Sequence, residues 1–172
     1  HDLPRNTQLY QTPRLDPSRR LLQSHVNARQ SVPKELPSFS GHPEDWPAFF
    51  STFEWSTATC AFTNAENLIR LQKALKGDAL HSVHQMLVHP SNVPGVIQVL
   101  RMLYGQPEKI VNSIKNKIQL SPIVDENDLK TLTCFAINAR NLISTITASN
   151  LYDELNNSSL LFDLIQKLPP SY

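Results

Sequence analysis

Apolar residues recur along most of this chain at intervals of three and four, the spacing that collects side chains on one face of a helix. The densest case is Trp46, Phe49, Phe50 and Phe53, which predicts an aromatic-faced helix from about Pro43 to Thr59. Phe39, Trp46, Phe49, Phe50 and Phe53 are the expected core of the unit this helix organises. Trp55 lies off the face of Trp46 round the helix and is the candidate exposed aromatic. Pro37 and Pro43 bias the residues before them away from helix, and Gly41 permits a sharp turn between them. Pro43 and Pro47 lack an N–H, which is tolerable at a helix start, where those groups are unpaired anyway.

The same periodicity continues. Thr63-Asn64-Ala65-Glu66 has the form of a capping box, followed by a helix through Leu68, Ile69, Leu71, Gln72 and Leu75 that Gly77 stops. Asp78 is placed to cap a helix with Leu80, Val83 and Leu87 that ends before His89-Pro90. Ser91 or Asn92 starts the next, with Val96, Val99, Leu100, Leu103 and Tyr104 inward and Gly105 as a left-handed C-terminal residue. Ile110, Val111, Ile114 and Ile118 mark a helix that stops at Ser121-Pro122. The acidic group Asp125, Glu126 and Asp128 suits the start of a longer helix, through Leu129, Leu132, Phe135, Ala136, Ala139, Leu142, Ile143 and Ile146. Ser149 or Asn150 caps a short turn with Leu151 and Leu155. Ser158 or Ser159 opens a last helix with Leu160, Leu161, Leu164, Ile165 and Leu168, closed by Pro169-Pro170. No segment alternates with a period of two, so the fold class is all-α.

Ahead of this, residues 1–35 hold four prolines and scattered arginines and read as an arm. One short helix is expected from Ser18 to about Gln30, with a narrow stripe of Leu21, Leu22 and Val26 that needs a partner surface. Thirteen prolines against four glycines indicate rigid punctuation. The formal charge of +1 is uneven. Residues 1–34 carry Arg5, Arg14, Arg19, Arg20, Arg29 and Lys34 against Asp2 and Asp16, and the rest carries ten basic and thirteen acidic residues. Charge therefore argues against polyanion binding by the body and leaves a weak contact through the arm. No apolar run approaches the ~18 residues of a membrane span.

Candidate chemistry is sparse. His81, His84 and His89 near Asp78 lack a His-Glu-x-x-His pattern or a cysteine pair, so solvated or hydrogen-bonded histidines are expected and no metal or other cofactor. Cys60 and Cys134 form no Cys-x-x-Cys element and read as reduced, apolar residues. Phosphate-cradling glycine loops, a Gly-x-Ser-x-Gly elbow and an Asp-Thr/Ser-Gly signature are all missing, so an enzyme is not expected.

The order of the signals is more specific than any one of them. Leu36-Pro-Ser-Phe-Ser-Gly41, Trp46 with Phe50, Leu75-Lys-Gly-Asp-Ala79, Tyr104-Gly-Gln-Pro107 and Ile165-Gln-Lys-Leu-Pro169 together resemble the Gag capsid region of BEL/Pao-type LTR retrotransposons over residues 35–170. That resemblance implies two small helical lobes of retroviral-capsid type, 36–121 and 122–172, behind the 1–35 arm. Gln106-Pro107 is the competing boundary. In the family further helices follow the Lys-Leu-Pro signal, so the second lobe is expected to be only partly represented. The function implied is a structural protein that self-assembles into a shell around retrotransposon RNA, in cytoplasmic virus-like particles. The alternative is a domesticated Gag acting as a peptide-binding adaptor or an RNA-carrying particle protein. Expected partners are other copies of the chain, with Trp55, Leu160, Leu161, Leu164, Ile165 and Leu168 as contact residues, and RNA, through Arg5, Arg14, Arg19 and Arg20. Neither a membrane nor a small-molecule substrate is expected.

Overall fold

The computed structural model describes residues 16–148, 151, 153, 156 and 158–169. They form eight α-helices: α1 (Pro17–Ser31), α2 (Trp46–Cys60), α3 (Asn64–Ala74), α4 (Gly77–Val83), α5 (Val93–Tyr104), α6 (Pro107–Leu120), α7 (Leu129–Ala148) and α8 (Ser158–Ile165). Single 3₁₀ turns at Pro43–Asp45 and Pro90–Asn92 lead into α2 and α5. The all-α class expected from periodicity is the observed one. Ser149, Asn150, Leu155 and Pro170 lie outside the described residues.

The core begins before the first of its helices. Leu36–Ser40 runs extended and lays Phe39 beside Leu75 as an isolated parallel bridge. The Phe39 N–H donates to Ala74 O at 3.0 Å, and the Lys76 N–H returns a bond to Phe39 O at 2.9 Å. These bonds satisfy backbone groups that burial would otherwise orphan. The Phe39 ring, fully buried, stacks on Phe49 at 5.0 Å and meets Trp46 and Tyr104 edge-on at 5.7 and 5.4 Å. Such geometries suit the quadrupole of each ring. Trp46, Phe49 and Phe53 are buried as expected. Phe50 is only half-buried: it stacks on Trp46 at 5.3 Å and takes the Arg101 guanidinium over its outer face at 4.4 Å. The buried cluster runs on through α3, α4, α5 and α6 to Leu142 and Ile146 of α7 and Leu160 of α8.

Turn chemistry agrees with the sequence in part. The Thr63 capping box is present in both directions, and Gly41 has φ +105°, the left-handed half of the map where glycine costs least. Gly105 differs from expectation. Its φ is −91°, which any residue adopts, so conformation does not require glycine there. Space does: a Cβ would stand 2.5 Å from Trp46 Nε1 and 2.9 Å from Arg101 O. Gly77 does not stop α3, which has already ended at Ala74. It opens α4 with φ +48°, because Leu75 must be extended to bridge Phe39. Asp78 is therefore inside the first turn of α4 and not its cap. The helix also stops at Val83, and a series of turns carries Leu87 into the core. Gln72 and Asn92 side chains hold those turns through Leu87 O and Met86 O.

The arm helix α1 is capped by Asp16, and it docks by its polar face. His25 Nδ1 lies 3.0 Å from Thr59 O. Arg29 donates to Cys60 O at 2.8 Å, to Ala61 O at 3.0 Å, and to both oxygens of Glu66. The reason is the end of α2, whose last carbonyls have no partner within their own helix and attract a cation. Leu21, Leu22 and Val26 point away and stay exposed. Beneath Arg29, the buried Arg70 donates to Lys34 O and Asn67 Oδ1, both at 2.8 Å, and to Ser56 and Thr57. Its ring partner is Phe62, 4.3 Å from the guanidinium carbon. Burial pulls the Arg70 pKa below the usual arginine value.

Two outcomes follow. Gly105→Ala should destabilise by about 2–3 kcal/mol through overpacking, whereas Gly95→Ala, whose Cβ meets only the mobile tip of Met86 at 3.1 Å, should be neutral or stabilising by up to about 1 kcal/mol; urea titrations of both decide it. The second concerns acid. The Thr63 backbone N–H, then the Arg29 guanidinium, hold the Glu66 carboxyl below the usual glutamate range. A depressed pKa contributes stability that is full above the unfolded value and is lost as pH falls through the folded one. Wild type should therefore lose at most about 1 kcal/mol from this site below about pH 4.3, the pair being half solvated. Glu66→Gln should lack that component in a comparison of denaturation midpoints at pH 7 and pH 3.5.

Candidate self-association surface

Helix α8 is short and apolar on more than one side. Leu160 is 4% exposed and joins the core, and Leu164 packs against the same core. Leu168, past the helix end, is half-buried. The opposite side carries Leu161 at 52%, Phe162 at 60% and Ile165 at 62% exposure. The five expected contact residues of this region thus divide: Leu160 is structural, Leu164 and Leu168 are half-buried, and Leu161 and Ile165 face outward. Phe162 was absent from the expectation. It sits one residue from Leu161 and three from Ile165, so a helical projection centred on the outward side finds it.

What fixes α8 in this orientation is polar. The Val124 N–H donates to Lys167 O at 2.8 Å, Gln119 Nε2 to Asp163 Oδ2 at 2.7 Å, and Lys167 Nζ to Gln119 O and Ser121 O. These bonds tie α8 and the residues after it to the end of α6. Leu120 and Ile123, in that same junction, are exposed.

Helix α7 shows a second outward apolar line. The sequence stripe pointed Leu129, Leu132, Ala136 and Ile143 inward with Phe135, Leu142 and Ile146. Burial selects Phe135, Asn138, Leu142 and Ile146 for the α6-facing side, and leaves Leu129, Leu132, Ala136 and Ile143 exposed. The four exposed residues fall within about 60° on a helical wheel, and the centre of that line is about 105° from the centre of the buried set. Trp55, expected to be exposed, is 57% accessible on α2.

Two grooves lie on the opposite half. One, of about 410 Å³, runs between α2, α3 and α5 and is lined by Phe50, Phe53, Thr57, Asn67, Ile97 and Arg101 among others. The other, of about 480 Å³, opens between the α1–Leu36 connection and α3, with Lys34, Arg70 and Lys73 around Leu36, Phe62 and Ile69.

The remaining candidates are quickly placed. Arg19 and Arg20 are exposed on α1, while Arg5 and Arg14 lie outside the described residues. The His81 and His84 rings stack at 5.8 Å, and His89 Nδ1 accepts from the Ser91 N–H at 3.2 Å. Among the described residues no group of three or more histidines, cysteines or carboxylates is placed to hold a metal. Both cysteines are free thiols, Cys60 buried and Cys134 exposed. No helix among the described residues is long and apolar enough to cross a membrane.

The division of α8 has a measurable consequence. Leu160→Ala should cost about 2–5 kcal/mol in a urea titration, and the double change F162Q/I165Q should stay within about 1 kcal/mol of wild type, since both residues are mostly exposed and neither belongs to the core.

No curated protein and no solved structure matches the chain. A family model described as a protein of unknown function, DUF1759, matches residues 39–172, from the bridging phenylalanine through α8. The chain belongs to the DUF1759 family.

Proposed function

We propose that this chain is a Gag-type capsid protein, akin to that of BEL/Pao-type LTR retrotransposons, which self-associates into a shell enclosing RNA and catalyses no reaction. The observation that carries this reading is the outward side of α8, where Leu161, Phe162 and Ile165 form an apolar patch on a helix whose other side is anchored in the core. A short exposed apolar helix is self-complementary about a two-fold axis, the commonest symmetry of protein association. The order of the five sequence signals supports the same identity.

Magnitudes define the assembly mechanism. Each of the three side chains has about half its surface left to bury, worth roughly 1 kcal/mol apiece, so two copies gain about 6 kcal/mol. Association costs an estimated 4–15 kcal/mol in lost freedom. The α8 contact alone is therefore weak and reversible. A shell accumulates many such contacts and closes on itself, which makes the whole far more stable than any pair. Residues 36–121 and 122–172 act as the two lobes, each presenting its own contact. The exposed Arg19 and Arg20, with Arg5 and Arg14, face the RNA and supply sequence-independent attraction that weakens with salt.

A second reading is favoured by the groove between α2, α3 and α5: a domesticated Gag that holds a peptide there. The two share a fold and differ in oligomeric state.

Light scattering and negative-stain microscopy over a range of protein and salt concentrations test the main reading. Wild type should form particles, and F162Q/I165Q should raise the required concentration by about tenfold or more while keeping its circular dichroism. A wild type that stays monomeric throughout overturns it.

A further inference from the structure

We propose that the groove between the α1–Leu36 connection and α3 receives the acidic turn Asp125–Asp128 of a second copy of this chain. This rests on the self-association reading and supplies its second contact. The groove has an apolar floor of Leu36, Phe62 and Ile69, with Ile69 exposed, and a cationic rim of Lys34 and Lys73 above the buried Arg70. Arg29 and Glu66 close one side as an ion pair at 2.7 Å, so their charges are spent on each other. Glu35 lies on the rim as well, which leaves Lys34, Arg70 and Lys73 in excess by two. Lys34 and Lys73 are exposed.

The turn is the complementary shape and charge. Asp125 and Glu126 are exposed and Asp128 half-exposed, with Ile123 and Leu129 accessible on either side. It is held in one conformation. Asp125 Oδ1 accepts from the Asn127 N–H at 2.9 Å, the Asp125 N–H donates to Thr131 Oγ1, and Asp128 Oδ1 accepts from the Lys130 N–H at the start of α7. Val124, just before it, is buried and bonded to Lys167 O. A turn ordered in advance loses little entropy on docking. Among the described residues no hydrogen bond or ion pair joins turn and groove within one chain.

A polyanion fits the groove less well. Phosphates have no use for the floor of Leu36, Phe62 and Ile69, and Glu35 and Glu66 stand where a nucleic-acid backbone would pass. A volume of about 480 Å³ takes a few side chains and not a folded element. Because groove and turn are different patches, the contact is head-to-tail and propagates from copy to copy. The α8 patch is two-fold and joins such rows. One contact of each kind is sufficient in principle to build a closed shell.

Charge reversal tests it without touching the groove's structural arginines. In the full chain, K34E/K73E should weaken association about tenfold at low salt, as should D125N/E126K, and both effects should shrink at 1 M salt. The quadruple variant should regain most of the loss, and an equimolar mixture of the two doubles should associate better than either alone. Recovery in neither case overturns the inference, as does a K34E/K73E variant that associates normally but loses RNA retention on filters, which would make the groove a polyanion site. If wild type associates, F162Q/I165Q does not, and the charge variants match wild type, this inference fails while the self-association reading stands. A monomeric wild type overturns both.

Discussion

Phe39 is the constraint on which the described body depends. It precedes every helix of the core, yet it is wholly buried and touches Trp46, Phe49 and Tyr104. An extended segment carries an N–H and a C=O at each residue with no helix to satisfy them, so burying one requires partners elsewhere. The α3–α4 connection supplies them at Ala74 and Lys76. Several local features are consequences of that requirement. Leu75 must leave the helix, Gly77 must take φ +48° to turn into α4 beside Ser40, and Gly41 must turn sharply under the Tyr104 ring. The Leu-Lys-Gly-Asp-Ala and Tyr-Gly-Gln-Pro signals of the sequence are the two places where the chain accommodates the phenylalanine and its indole neighbour.

This explains what was legible in the sequence. Helix positions followed from the 3.6-residue period and from caps such as Thr63–Glu66, because those are local physics. The roles of Gly77 and Gly105 were not legible, because each answers to a residue far away in the chain. Gly105 is small to admit Trp46, which nothing near residue 105 announces. Which face of a helix is buried was also obscure where apolar residues wrap more than one side. In α7, Leu132 and Ile143 have the same hydropathy and spacing as Phe135 and Ile146, and only the position of α6 separates them. In α1 the apolar stripe is the docking face that the sequence alone predicts. The unsatisfied carbonyls at the end of α2 outcompeted it by attracting Arg29, a partner visible only once α2 and α1 lie together.

The candidate surface follows from the same limit. A short helix with five large apolar residues cannot hide all of them against one neighbour, so excess apolar character in α8 was readable in advance. Its division into Leu160 and Leu164 inward, with Leu161, Phe162 and Ile165 outward, required knowing that Lys167 anchors to Gln119 and Ser121. That anchor sets the rotation of the helix about its axis. A change of rotation by one residue, about 100°, would have put Leu161 in the place of Leu160.

The energetics also link the body to the surface. The outward patch is affordable because the inner core, from Phe39 to Leu160, is continuous and does not need those side chains. Exposed apolar area of this kind is a standing aggregation hazard unless something limits how it is covered. Geometry is the limit here: the patch lies on a helix pinned at its C-terminal end by hydrogen bonds to a second element, so it is presented at a fixed angle. A rigid patch selects one mode of pairing, whereas the same residues on an untethered helix would accept many. On the capsid reading proposed above, the bonds around Lys167 act chiefly by setting orientation, which would separate ordered assembly from precipitation.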